Sequence, residues 1–215
     1  IYSMEIVDHV KRCIKDAEDH RSKITTEILA YQGYTGTKTR HFYNNICSLP
    51  NANYLEIGTW YGSSAISALY QNNLNATLID NWSEFNGTRS ILDSAVQRFN
   101  TGSDVTIIEK NCWEVNRDTL PEFDIYLYDG AHAYTDQYRA ISYYNKVLKP
   151  NCIVMIDDWN WGDVRKGTLD AFSDLGINFL FQHEIVLPEK DIIGMPVHNG
   201  RNTWWNGIGI FVLDK

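Results

Sequence analysis

One stretch, residues 53–69 (NYLEIGTWYGSSAISAL), constrains this chain more than any other. Tyr54-Leu55-Glu56-Ile57 is largely apolar and runs straight into Gly58-Thr59-Trp60-Tyr61-Gly62. Ser63-Ser64 then opens a run with Ala65, Ile66, Ala68 and Leu69. The pattern predicts a strand, a tight glycine turn and a helix. Gly58 lets the backbone leave the strand without a Cβ clash, Gly62 permits close approach of a ligand, and the helix start offers unpaired N–H groups. Glu56 is the odd residue. A carboxylate at the end of a buried strand is rarely left alone, so it is expected to meet the turn's own N–H groups or a ligand. A plain βα corner, with glycines serving only the turn, is the alternative. The dinucleotide fingerprint places a third glycine between these two, and Trp60 and Tyr61 stand there instead. That suits a ligand without phosphate better than NAD.

With 215 residues, 44% of them hydrophobic and 13% aromatic, the chain can bury one domain. The formal charge is −8 and the acids are spread along the chain. Such a surface is a poor grip for nucleic-acid phosphates, and no apolar run approaches membrane-spanning length. Small-molecule chemistry is the expectation. Cys13, Cys47, Cys112 and Cys152 form no CxxC pair, which points to free thiols in a reducing compartment and to the cytoplasm.

Apolar residues at Ile6, Val10, Cys13, Ile14, Ala17, Ile24 and Ile28 make one stripe and predict a helix over 4–29. It could pack on the domain, close a pocket, or pair with a second subunit in a homodimer. A break at 33–36 precedes a second helix over 39–47, so 1–50 reads as a helical cap and 51–215 as the main domain. Short strands follow at 76–80, 105–108, 123–128 and 152–156, alternating with helical faces at 91–99 and 134–148, the latter stopped by Lys149-Pro150. Five strands alternating with helices predict a parallel sheet covered on both faces, with every carboxyl end on the edge where ligands bind. That edge collects Glu56, Asp80, Asp129, Asp157 and Asp158. The tail departs from this alternation, with a helix over 164–175, strands over 177–187 and 207–213, and between them a loop over 188–206. A loop of that length suits a lid or specificity element.

In motif order and spacing, the chain from Asn53 onward resembles the class I S-adenosylmethionine-dependent methyltransferases. Leu55-Glu-Ile-Gly-Thr-Trp-Tyr-Gly-Ser-Ser64 is most similar to the small-molecule O-methyltransferases of catechol type and of the bacterial sugar-methylating type. Asp129-Gly-Ala-His-Ala-Tyr134 and Ile156-Asp-Asp-Trp159 are similar to their fourth and fifth strand endings. The resemblance implies an α/β, Rossmann-like, doubly wound sheet of seven strands, mostly parallel with an antiparallel last strand and helices on both faces. It implies S-adenosyl-L-methionine as cofactor. Glu56, Gly58 and Gly62 would line its methionine end, Thr59 and Ser63 would also bind the cofactor, and Asp80 would take the two ribose hydroxyls. Asn81 and Trp82 would follow at the adenosine edge, Asn111, Cys112 and Trp113 would meet the adenine, and Asp129 would stand beside the sulfonium.

The resemblance also implies a divalent cation such as Mg²⁺ on Asp129, Asp157 and Asp158, binding a hydroxylated small-molecule acceptor. The competing account has Asp157 or Asp158 capping the helix that begins near Gly162. The base position departs from the family pattern. Sugar-methylating relatives carry a second acid where this chain has Ala131, and catechol-type enzymes a lysine where it has His132. An imidazole accepts a proton at neutral pH, which makes His132, with Asp129, the catalytic candidate; a hydrogen-bonded structural histidine is the plainer alternative. Trp159, Trp161 and Trp204-Trp205 would wall the acceptor pocket. Two other functions stand beside methyl transfer: a catalytically silent binding module of the same fold, and an NAD-dependent oxidoreductase, which the missing middle glycine disfavours.

Overall fold

The computed structural model describes residues 2–188 and 203–215. Helices α1 (Tyr2–Glu18), α2 (Thr26–Ala30) and α3 (Thr37–Ile46) precede strand β1 (Ala52–Ile57) and helix α4 (Ser63–Leu69). Then come β2 (Leu74–Asp80), α5 (Arg89–Phe99), β3 (Asp104–Glu109), β4 (Phe123–Tyr128), α6 (Tyr134–Tyr144), β5 (Leu148–Asp157), α7 (Gly162–Asp174), β6 (Asn178–Ile185) and β7 (Ile208–Asp214). The seven strands lie in the order β3-β2-β1-β4-β5-β7-β6. β1 to β5 pair in parallel, and β7 runs antiparallel to both its neighbours, as the resemblance implied. The strand order reverses between β1 and β4, and the crevice outside their carboxyl ends is where open α/β sheets bind ligands.

Two-residue alternation divides the core. Tyr54, Leu78, Leu127, Met155 and Ile210 face α1, α3 and α4, packing with Val10, Phe42, Ile46, Ala65 and Leu69. Leu55, Ile57, Tyr126, Val154 and Phe211 face the other way, onto Ala140, Ile141 and Tyr144 of α6 and Phe172 of α7. The first helices therefore pack directly on the sheet. Cys13, Cys47, Cys112 and Cys152 are free thiols. Among the described residues, no helix is long and apolar enough to cross a membrane.

Two elements differ from the sequence reading. The single helix expected over 4–29 is two, with His20 in the left-handed region at φ 52° between them. Tertiary partners draw this polar run out of the helix: Ser22 Oγ meets His41 Nδ1 at 2.7 Å, and Lys23 N–H donates to Asn44 Oδ1 at 3.1 Å. The apolar period persisted because Ile24 and Ile28 serve a separate cluster with Ile66 and Phe99. Pro150, expected as a stop, lies inside β5 where the ladder to β4 shifts register, so its missing N–H breaks no regular pairing. Most of the expected loop over 188–206, with Gly194, Pro196 and Gly200, lies outside the described residues. Its last residues return onto the N-terminal segment: Lys38 N–H donates to Thr203 O at 3.2 Å, and Trp204 Nε1 to Glu18 Oε1 at 2.6 Å.

Phe211 meets Trp159, Phe172 and Phe179 at ring-centroid distances of 5.5, 5.1 and 5.1 Å. Phe211→Ala is expected to lower the unfolding free energy by about 3–5 kcal/mol in urea titrations, the usual cost of an aromatic-sized cavity.

Candidate functional site

A cavity of about 710 Å³ opens at the carboxyl ends of β1, β2, β4 and β5. The glycine turn forms its floor. Gly58 leaves β1 at φ 89°, and a Cβ there would stand 2.0 Å from the Asp129 carbonyl oxygen. Only glycine lets the end of β4 come that close. Gly62, at φ 91°, has another reason than the one expected. Its missing Cβ would meet Leu92 Cδ1 of α5 at 2.6 Å, and Gly62 is not among the lining residues. Its left-handed φ at the start of α4 is what calls for glycine, rather than ligand approach.

Glu56 also departs from expectation. It is fully buried and stands outside the cavity lining, and its carboxyl meets hydroxyls rather than turn N–H groups. Tyr54 Oη donates to Oε2 at 2.6 Å and Ser64 Oγ to Oε1 at 2.5 Å. Burial pushes its pKa up to about 7 against these two bonds, and the nearby Asp80 charge adds to the rise. Alternation along β1 accounts for the placement, since Glu56 shares the face of Tyr54 and points beneath α4.

Asp80, at the end of β2, brackets the turn. Its Oδ2 accepts Trp60 N–H at 2.8 Å and its Oδ1 accepts Trp82 N–H at 2.7 Å. Each oxygen keeps a lone pair, and the residue lines the cavity with Asn81. Trp82 is turned away, its indole packed toward the core and its Nε1 donating to Trp60 O at 2.9 Å. Asn111, Cys112 and Trp113 follow the neighbouring strand β3 and line the cavity, where Asn111 Oδ1 accepts Trp113 N–H at 3.0 Å and fixes a single 3₁₀ turn. Burial pushes the Cys112 thiol up to about 11, which leaves it inert as a nucleophile.

Behind them stand the acids of β4 and β5 with His132. Asp129, His132 and Asp158 each bring a ligand atom within 4.8 Å of the others, and His132 Nε2 lies 2.7 Å from Asp158 Oδ2. The triad expected from sequence was Asp129, Asp157 and Asp158, so His132 takes the place of Asp157. Successive strand residues point to opposite sides, and Asp158 is held at φ 54°, which turns its carboxylate across to His132. Asp158 Oδ1 accepts Asn206 Nδ2 at 2.6 Å. Asp157 and Asp129 hydrogen-bond to each other. Burial, and repulsion among the carboxylates, raises both well above the ordinary carboxylate range. Asp157 Oδ1 has no partner. Neither Asp157 nor Asp158 caps α7, whose N-terminal residue receives no side-chain cap.

The expected tryptophan wall divides. Trp161 and Trp205 line the cavity, and Trp161 meets the His132 ring edge-on at 4.5 Å. Trp159 and Trp204 are buried and tied to Glu184 and Glu18. Tyr34, Phe85 and Asn206 also line the cavity and were not foreseen. Tyr34 stacks on Trp60 at 5.0 Å with 4° between planes, and Trp60 on Tyr61 at 3.9 Å. The two aromatic residues replacing the middle glycine were the available signal for this rim. Trp60, Trp82, Phe85, Asp158 and Trp205 all have positive φ. Strained backbone in non-glycine residues concentrates at functional sites.

Residues 55–159 match the family described as "Methyltransferase domain". No curated protein matches the chain by sequence. Among solved structures, a provisionally assigned methyltransferase in complex with SAH is 12% identical at a TM-score of 0.61, over 86% of this chain and 50% of that one. Precorrin 8W decarboxylase from Methanobacterium thermoautotrophicum is 18% identical at 0.58, over 92% and 97%. A provisionally assigned O-methyltransferase from Klebsiella pneumoniae is 13% identical at 0.53, over 96% and 90%. The chain thus spans half the length of the first of these and nearly all of the other two. At such identities the likeness is one of fold, that of the class I methyltransferases.

Glu56 binds its proton more tightly folded than unfolded. The folded state therefore loses stability as pH rises from the ordinary glutamate value of 4.5 toward about 7, and levels off above. Glu56→Gln removes that loss. The unfolding free energy of the variant, relative to the parent, is expected to improve by up to about 3 kcal/mol across this window in denaturant titrations. A difference that stays constant with pH would show that Glu56 does not hold its proton.

Proposed function

We propose that this chain, a class I S-adenosylmethionine-dependent methyltransferase in its fold and in its matched domain, moves the cofactor's methyl group onto a hydroxyl of a small molecule. One observation carries the reading. A single cavity has Asp80 and the 111–113 turn on its nucleoside side and Asp129, His132 and Asp158 on its chemical side. The spare lone pairs of Asp80 suit the two ribose hydroxyls, and the Asn111 turn would hold Trp113 against an adenine. Thr59 and Ser63 stand at the methionine end, and Thr59 Oγ1 is buried with no partner. Trp60 and Tyr61 stand where the dinucleotide fingerprint has its middle glycine, so the nicotinamide reading gains no support.

Methyl transfer is an in-line displacement. The acceptor oxygen forms a bond to the methyl carbon, the carbon–sulfur bond breaks, the electron pair returns to sulfur, and the hydroxyl proton departs. The chain's part is to hold the two reactants in line and to make the hydroxyl nucleophilic. Two duties are open to His132: taking that proton while Asp158 orients the ring, or helping to hold a divalent cation. Such a cation, Mg²⁺ in the sequence reading, would supply Lewis acidity that lowers the hydroxyl pKa. The residues fit one. Asp129 and Asp157 are neighbouring carboxylates whose burial and mutual repulsion oppose their ionisation, and Asp157 Oδ1 is a buried acceptor with nothing to accept. Trp161, Trp205, Tyr34 and Phe85 then enclose an apolar or ring-bearing acceptor.

Calorimetric titration of the full chain is expected to show binding of S-adenosylhomocysteine and none of NADH. Asp80→Ala should weaken the former on the order of 10-fold or more, as lost hydrogen bonds to a charged group do, with circular dichroism reporting an intact fold. Binding of NADH in its place would overturn the reading. Cofactor binding without methyl transfer to any hydroxylated acceptor, with or without added cations, would leave a silent binding module.

A further inference from the structure

We infer that the carboxyl-end cluster is a mixed carboxylate–imidazole metal site, with Asp129, His132 and Asp158 as ligands, suited to a transition-metal ion rather than to Mg²⁺. The family resemblance implies an all-carboxylate set with Asp157 in it, which suits a hard cation. The structure assembles a different one. Three donor atoms lie within 4.8 Å of one another, one of them an imidazole nitrogen 2.7 Å from a carboxylate oxygen. That separation is a hydrogen bond as it stands; two ligands each about 2.1 Å from one small cation stand about 3 Å apart, so a shift of a few tenths of an ångström would admit the ion.

Donor type then sets preference. Oxygen-only sites suit Mg²⁺ and Ca²⁺, whereas an imidazole favours Mn²⁺, Co²⁺, Ni²⁺ and Zn²⁺, increasingly along that series as far as nickel. Three protein ligands from two strand ends leave open positions facing the cavity, which is the arrangement of a reactive site rather than a closed structural one.

Independent observations also point to a ligand here. Asp157, only 6% exposed and lining the same cavity, has Oδ1 without any partner. It shares no place in the trio, so it is free to accept a hydrogen bond from a water or hydroxyl lying beside the cation. Asn206 donates to Asp158 Oδ1 at 2.6 Å, leaving Asp158 Oδ2 for the shared position with His132, and the Trp161 edge packs on the imidazole. Partners that orient the ligands of a metal are part of such sites. On this reading His132 holds the ion instead of receiving the hydroxyl proton.

Metal binding is independent of the methyl-transfer reading; only the duty of the ion rests on it. The test is calorimetry of the full chain with Mg²⁺, Mn²⁺, Co²⁺ and Zn²⁺, together with the visible absorption of the Co²⁺ form. Co²⁺ and Zn²⁺ are expected to bind on the order of 100-fold more tightly than Mg²⁺. His132→Gln should remove most of that preference and alter the Co²⁺ bands, and Asp129→Asn should abolish binding. Asp157→Asn should keep the bands close to those of the parent. S-adenosylhomocysteine affinity, measured on the same samples, should survive His132→Gln, which separates loss of the metal from loss of the cofactor site or of the fold. Equal affinity for Mg²⁺ and Co²⁺, a preference untouched by His132→Gln, or no binding of any of the four ions would each overturn the proposal.

Discussion

The Asp129 carbonyl passes so near Gly58 that no side chain fits between them. This contact joins the two halves of the site. Gly58 N–H donates to Ile79 O at 2.9 Å on one side, while Asp129 N–H donates to Ile57 O at 2.9 Å on the other. The turn that would hold a nucleoside and the strand end that carries the acids therefore keep a fixed separation. Backbone geometry sets that distance, and side chains act from it. A Cβ at position 58 would push the acid away from the turn, whatever chemistry the acid performs.

Charge is the second constraint. Glu56, Asp129 and Asp157 lie close together in or under the site, and burial raises all three above the ordinary carboxylate range. Tyr43, fully buried and near the same acids, has a hydroxyl without a partner. Such an arrangement opposes folding, because each ionised group there lacks a compensating charge. A cationic ligand, whether a sulfonium or a metal ion, relieves it. The site is poised for positive charge and is costly without it.

The aromatic rim is assembled from distant segments. Tyr34 comes from the break between α2 and α3, Trp60 from the glycine turn, Phe85 from the segment after β2, and Trp205 from the residues leading into β7. Trp205 and Asn206 are placed by the anchoring of Thr203 and Trp204 onto the N-terminal helices. The helices that open the chain thereby help to shape the site, although none of their residues carries a recognisable motif.

Alternation and spacing told much of this in advance. The strands at β1 to β5, the helices between them and the acids at their ends are local features, because a two-residue or 3.6-residue period is written in adjacent positions. Gly58 and Asp80 could be named from sequence because a turn and a strand end are local as well. The trio was not legible, since whether Asp157 or Asp158 faces His132 depends on a left-handed φ at Asp158 and on Asn206, 48 residues away. Nor was the inward turn of Trp159 and Trp204. The sequence by itself determined which residues end the strands, because hydrophobic period and turn chemistry act over a few neighbours. Only the tertiary structure decided which of those ends meet, because that follows from strand order and from backbone angles that distant contacts impose.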